Sequence, residues 1–188
     1  MSLFLRKILF APFLLSFLLF LVTAMPGPAF SGEEGLKFAV VDINALLNDS
    51  AAGKSIQEQL EKKRSEFQEE FSKRETELRQ VEKNIIDKKE KAPVEELEKE
   101  KRKFESGLLE TKKLFRERRA ALDRGLAEAM QELRKKIIQA SAEIAEEEGY
   151  QAILTRESVV VVEKDFDITL DVLKKLDKKT KIIPLDIK

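Results

Sequence analysis

Sparse apolar residues recur at spacings of three and four through residues 54–148, a stretch otherwise dense in charge and interrupted once, at Lys91-Ala92-Pro93. This pattern predicts two long helices with one narrow apolar seam each, too thin to bury a globular core. The interruption lets the chain turn back, so that each seam covers the other. In the first arm a heptad places Leu60, Phe67, Arg74 and Val81 at a, with Arg64, Phe71, Leu78 and Ile85 at d. In the second arm Leu97 and Phe104 fall at a, and Lys101, Leu108, Phe115 and Leu122 at d. A fold-back centred on Lys91 sets Leu60 against Leu122, Phe67 against Phe115, Leu78 against Phe104 and Ile85 against Leu97. These pairs are the expected arm seam.

The same register creates weak layers, with Arg64 facing Arg118, Val81 facing Lys101 and Arg74 facing Leu108. Charged stems can lean outward there but contribute little. Alternating strong and weak layers predict a compliant arm about 55 Å long at the rise of an α-helix. Beyond Leu122 the stripe continues through Leu126, Ala129, Leu133, Ile137, Ala140 and Ile144. Its mean spacing is longer than a strict heptad, so supercoiling relaxes. These residues are expected to pack on the strands.

The flanks change period. Residues 36–41 alternate as a strand, and Asp42 can cap a helical turn carrying Ile43, Leu46 and Leu47. Asp49 or Ser50 suits the N-cap of the first long helix, which runs to about Glu90. Pro93 fits the first turn of the second helix, and Gly149 fits the left-handed position that ends it. Residues 150–155 and 159–163 read as two strands joined by Arg156-Glu157-Ser158. The run Val159, Val160, Val161, Val162 suggests a strand covered on both faces, more than so small a chain provides alone. Asp167-Ile168-Thr169 then caps a short helix carrying Leu170, Leu173 and Leu176, and the apolar tail Ile182-Ile183-Pro184-Leu185 docks on the body.

The fold class is therefore α+β and mainly helical: a long antiparallel coiled-coil hairpin inserted in a small β-rich body. The body comprises residues 32–53 and 133–188, and the arm comprises residues 54–132 with its tip near 91–93.

Residues 1–31 stand outside that fold. Arg6 and Lys7 precede an unbroken run of apolar and small residues, and Ala29 and Ser31 fit cleavage after Ser31. This is the pattern of a secretory leader. Loss of the leader leaves 33 basic against 35 acidic residues, which argues against nucleic-acid binding. The chain has no cysteine and no histidine. Disulfides, lipid attachment to cysteine, most nucleophile–base pairs and transition-metal sites are thereby excluded. Oligomerisation is the expected substitute for staples. Gly53-Lys54-Ser55 follows a strand and opens a helix like the end of a phosphate-binding loop, but Asn48 stands where that motif needs a glycine. No cofactor, metal or catalytic residue is expected, and the chain reads as a non-enzyme.

Two surface features remain. Lys112, Lys113, Arg116, Arg118 and Arg119 make the second arm locally basic, either as a site for anionic partners or as a solvated face. Ile86, Val94, Leu109 and Leu114 lie off the seam, either as client-contacting spots or as ordinary exposed apolar residues. The expected client contacts are these four apolar residues with Lys112, Lys113, Arg116 and Arg119.

Phe38-Ala39-Val40-Val41-Asp42-Ile43-Asn44, followed by Ser50-Ala51-Ala52-Gly53-Lys54, resembles the opening of the Skp/OmpH family of periplasmic chaperones. Asp167-Ile168-Thr169, followed by Val172, Lys174 and Leu176, is similar to that family's closing helix. The resemblance implies a homotrimer whose β-body uses strands of all three chains, with Phe38, Val40, Val159, Val160, Val161 and Val162 in that body. It further implies an ATP-independent holdase of the periplasm that keeps unfolded outer-membrane β-barrel proteins in a cavity between the arms. Ala51 departs from the family's frequent proline. The near-neutral mature charge departs from strongly basic members, so no lipopolysaccharide or membrane site is carried over. The competing reading is a structural coiled-coil protein of the envelope, retained by an uncleaved N-terminal segment.

Overall fold

A four-residue strand at each end of the helical insertion organises the protein. In the computed structural model, which describes residues 35–187, β1 (Phe38–Val41) pairs in parallel with β2 (Ala152–Thr155), Phe38 opposite Ala152 and Val41 opposite Thr155. The leader and its cleavage position lie outside the described residues. The other edge of β1 is also occupied, because Val40 O accepts from Ile168 N at 3.0 Å and Val40 bridges Asp167. Ala39, Val40 and Val41 are buried as a result.

Between the strands run α1 (Ile43–Asp49), α2 (Ala51–Lys88) and α3 (Val94–Glu148); α4 (Thr169–Lys179) and the tail follow β2. The expected caps of α1 and α2 are in place. Asp42 Oδ1 accepts from Ala45 N at 2.8 Å, and Ser50 Oγ accepts from Gly53 N at 3.1 Å. A second free N–H of the α2 start, at Ala51, donates to Asp177 Oδ1 of α4 at 2.8 Å, so α4 helps to terminate α2. Gly149 ends α3 with φ of 71°, the left-handed geometry that glycine adopts without penalty. Gly53 has a different purpose. A Cβ there would lie 2.0 Å from the carbonyl oxygen of Leu47, so the corner between α1 and α2 closes only on glycine. That packing accounts for the glycine in the false phosphate-loop motif.

The core joins β1, α1 and the first turns of α2 to the second half of α3, α4 and the tail. Leu46, Ile56, Leu133, Ile137, Val172 and Leu176 are its most deeply buried side chains. Each contributes about 1.5–3 kcal/mol by burial. Ala129, Leu133, Ile137, Ala140 and Ile144 form the buried stripe of α3, as the spacing predicts. Lys175 and Lys179 of α4 pair with Glu143 and Glu147 of α3. The hydrogen bond from Lys179 holds the Glu143 carboxyl below its ordinary value. Ile183 and Leu185 of the tail are buried, so the tail docks as expected.

One element is absent. Residues 159–163 are not a strand: Arg156–Ser158 forms a single 3-10 turn, and the following chain joins no ladder among the described residues. Val160 is 101% and Val161 86% exposed. The second edge of β1 is taken by residues 167 and 168, and the valine run does not pair with the outer edge of β2 either, which has no strand beside it among the described residues.

Gly53→Ala tests the helix corner. It is expected to destabilise the protein by about 3 kcal/mol, the upper end for overpacking, with the loss read as a lower urea midpoint at unchanged slope.

Candidate functional site: the exposed faces of the hairpin arm

Burial stops abruptly along the insertion. On α2 the last buried side chain is Ile56, and on α3 the first is Ala121. No residue between these two is buried; the seam is half-buried at best. On α3 the half-buried positions Leu97, Glu100, Phe104, Gly107, Thr111, Leu114 and Arg118 step by three and four in alternation, with Leu108 half-buried beside Gly107. From Ala121 to Ile137 the buried positions step by four. The arm thus has coiled-coil geometry and the root of α3 does not.

The facing residues differ from a fold-back centred on Lys91. Phe71, not Phe67, meets Phe115, with ring centroids 5.0 Å apart. Phe67 lies under the Arg118 guanidinium at 4.9 Å, and Leu78 comes to Gly107, where an added Cβ would be 2.9 Å from Leu78 Cδ2. Near the tip Lys88 pairs with Glu96 at 2.7 Å. In these pairs the register is displaced by up to one helical turn from a fold-back centred on Lys91.

The cause lies in the turn. Lys91 N and Ala92 N both donate to Lys88 O, at 3.0 and 2.9 Å, so helical bonding continues past the end of α2. The reversal therefore falls at Ala92-Pro93. Proline, which excludes its predecessor from the helix, was the available signal.

The register also changes the weak layers. Arg118 does not face Arg64. It stacks on Phe67, with Nε shielded from solvent and 3.4 Å from Glu70 Oε2, an ion pair without a well-aligned hydrogen bond. Arg74 is exposed and adds no buried layer to the seam.

Of the expected contact residues, Ile86, Val94 and Leu109 are exposed, at 65%, 74% and 67%. Leu114 is half-buried in line with Thr111 and Arg118, and so belongs to the seam. Lys112, Lys113, Arg116 and Arg119 are exposed, and Lys113 lies 3.8 Å from Glu117. Among the described residues Lys112, Arg116 and Arg119 form no ion pair.

Three of these residues, Leu109, Lys112 and Arg116, converge on one side of the arm. A groove of about 670 Å³ is lined by Phe71, Leu78, Leu108, Leu109 and Phe115, with Lys112, Arg116 and Glu75 among the polar residues around it. The opposite groove, near Arg74 and Gly107, is lined mainly by polar side chains. The arm therefore has one groove with an aromatic and aliphatic lining and a second with more polar side chains around Leu78 and Val81.

The body residues lie apart from this groove. Phe38 is half-buried and stacks on Phe166 at 4.9 Å, and Val40 is buried within its own chain. Val159 and Val162 are half-buried beside the exposed Val160 and Val161. No group of described residues could hold a metal ion, and no described helix is long and apolar enough to cross a membrane.

Comparison with known proteins follows the same outline. The family model described as OmpH, outer membrane protein (OmpH-like), matches residues 37–176, most of the chain. The protein belongs to the OmpH-like family. A crystal structure from Caulobacter crescentus CB15, described as a candidate outer membrane chaperone (OmpH-like), superposes with a TM-score of 0.77. It is 18% identical, with 86% of this chain and 93% of that chain covered. At that identity the likeness is one of fold, and it establishes the OmpH-like architecture of hairpin and small sheet. No match was found among curated proteins.

Two substitutions compare the root and the arm. Leu133→Ala should cost about 2–5 kcal/mol. Phe115→Ala, at a ring that is 51% exposed, should cost about 1 kcal/mol. Urea unfolding of both variants checks the difference, and equal losses would mean that the arm has a core of its own.

Proposed function

We propose that this OmpH-like protein is an ATP-independent holdase of the periplasm. It keeps unfolded outer-membrane β-barrel proteins from aggregating, in a space enclosed by the arms of a homotrimer. One observation carries the reading: a long hairpin with no buried residue between Ile56 and Ala121 that still presents apolar side chains to solvent there. An arm of this kind has surface to offer and no internal core to protect. Membership of the OmpH-like family and the fold shared with a candidate outer membrane chaperone support it.

The contact surface is the groove of Phe71, Leu108, Leu109 and Phe115, with Ile86 and Val94 nearer the tip. Barrel strands in the unfolded state present alternating apolar side chains. Many shallow apolar contacts can hold such a chain without selecting one sequence. Lys112 and Arg116 around the groove add weak attraction for acidic segments, which salt screens. No bond is made or broken, so the role is one of binding and not of catalysis.

Trimer formation is the part assigned to the body. The outer edge of β2 pairs with no strand among the described residues, and Val160 and Val161 beside it are almost fully exposed. A partner chain that covers both satisfies the unpaired backbone and the apolar run together.

Two measurements test the reading. At one trimer per client and without nucleotide, the protein should suppress light scattering by a barrel protein diluted from urea; continued aggregation in the presence of intact trimer would contradict the holdase role. Val160→Asp with Val161→Asp should convert the trimer to monomer in sedimentation, and an unchanged mass would remove these valines from the interface.

A further inference from the structure

We infer that the C-terminal tail, residues 182–187, is a strap that ties α2 to α3 where the arm leaves the body, and so fixes the point about which the arm bends. The family match ends at residue 176 and α4 at Lys179, so the strap lies beyond both. The tail has no helix or strand of its own. It is held from both sides.

On the α2 side, a single amide grips its backbone. Gln59 Nε2 donates to Ile183 O at 2.8 Å, and Leu185 N donates to Gln59 Oε1 at 3.0 Å. The same Nε2 lies 3.1 Å from both Ser55 O and Ser55 Oγ, which fixes the orientation of the amide. Ile183 and Leu185 point into the core, while Ile182 and Pro184 face solvent. The tail thus alternates inward and outward like an edge strand paired to a side chain.

On the α3 side, the tail crosses at Gly125. A Cβ there would lie 2.6 Å from Asp186 O and 3.3 Å from Ile187 Cγ1. Glycine is costly inside a 55-residue helix, and here it admits the backbone of the tail. Gln59 and Gly125 also fall at the same level of the hairpin in the observed register. That level lies just beyond Ile56 on α2 and just inside Ala121 on α3, where burial ends. With the strap in place, motion of the arm begins beyond it. Without it, α2 and α3 separate nearer the body and the bend moves down towards the core.

The way the arm is hung can be read without a client. Amide hydrogen exchange is measured on the mature protein, on a chain ending at Thr180, and on Gly125→Ala and Gln59→Ala in the full chain. Truncation should speed exchange in residues 57–67 and 115–129 by about 10-fold or more, as local opening at the root becomes easier. Exchange in residues 133–144 and 168–176 should be unchanged. Gly125→Ala should reproduce that pattern in the full chain, yet have no accelerating effect in the truncated one, where alanine simply favours the helix.

Unchanged exchange at the arm root would overturn the strap. Equal acceleration throughout the body would do so too, as would a Gly125→Ala effect that is the same with and without the tail. Should the truncated chain fail to fold, Gln59→Ala decides the matter by the same readout, since it leaves Ile183 and Leu185 free to stay buried.

Discussion

Parallel pairing of β1 with β2 obliges the chain to leave the sheet and return to it in the same direction. Parallel neighbours ordinarily use one crossover helix for that purpose. Here the crossover is α1, the whole of α2 and the whole of α3. Both roots of the hairpin are therefore fastened to one small sheet, and the rest of the hairpin extends from them. The strands are only four residues each, so pairing alone would not hold. Its second support is the bond from Ile168 N to Val40 O, which brings α4 and the tail over the same strand.

From that constraint follows an uneven distribution of burial. Leu46, Ile56, Leu133, Ile137, Val172 and Leu176 stabilise the root, while the arm has only half-buried layers. The aromatic pair Phe71–Phe115, the cation over Phe67 and the close approach of Leu78 to Gly107 hold the two helices in register. None of them excludes water as a core does. Local stability falls with burial, so the arm is the part of the molecule free to adapt its shape. Its two unlike grooves then give that freedom a direction.

Much of this was legible in the sequence because it is local. Asp42, Ser50 and Gly149 announce helix ends by their own chemistry, and the stripe from Ala129 to Ile144 follows from helical spacing. The heptad located the arm and most of its seam. It did not settle the register, because the reversal depends on how far hydrogen bonding to Lys88 persists into the turn. Leu114 was read as exposed, and Arg118 as an unsupported charge, for the same reason. The valine run misled in another way. Four valines state a preference for extended, covered backbone but not whose strand covers them, and within this chain they pair with neither edge of the sheet. Gln59 and Gly125 gave no signal, since a surface glutamine and a mid-helix glycine acquire meaning only when the tail arrives between them.

The account separates a body that folds from an arm that holds. The direct measurement is client protection by a chain in which residues 68–117, outside the last buried layers, are replaced by a short loop that joins Phe67 to Arg118. The account predicts that this chain folds with the cooperativity of the full protein and no longer keeps an unfolded outer-membrane barrel in solution. Undiminished protection by the shortened chain, or a body that cannot fold without its arm, would contradict it.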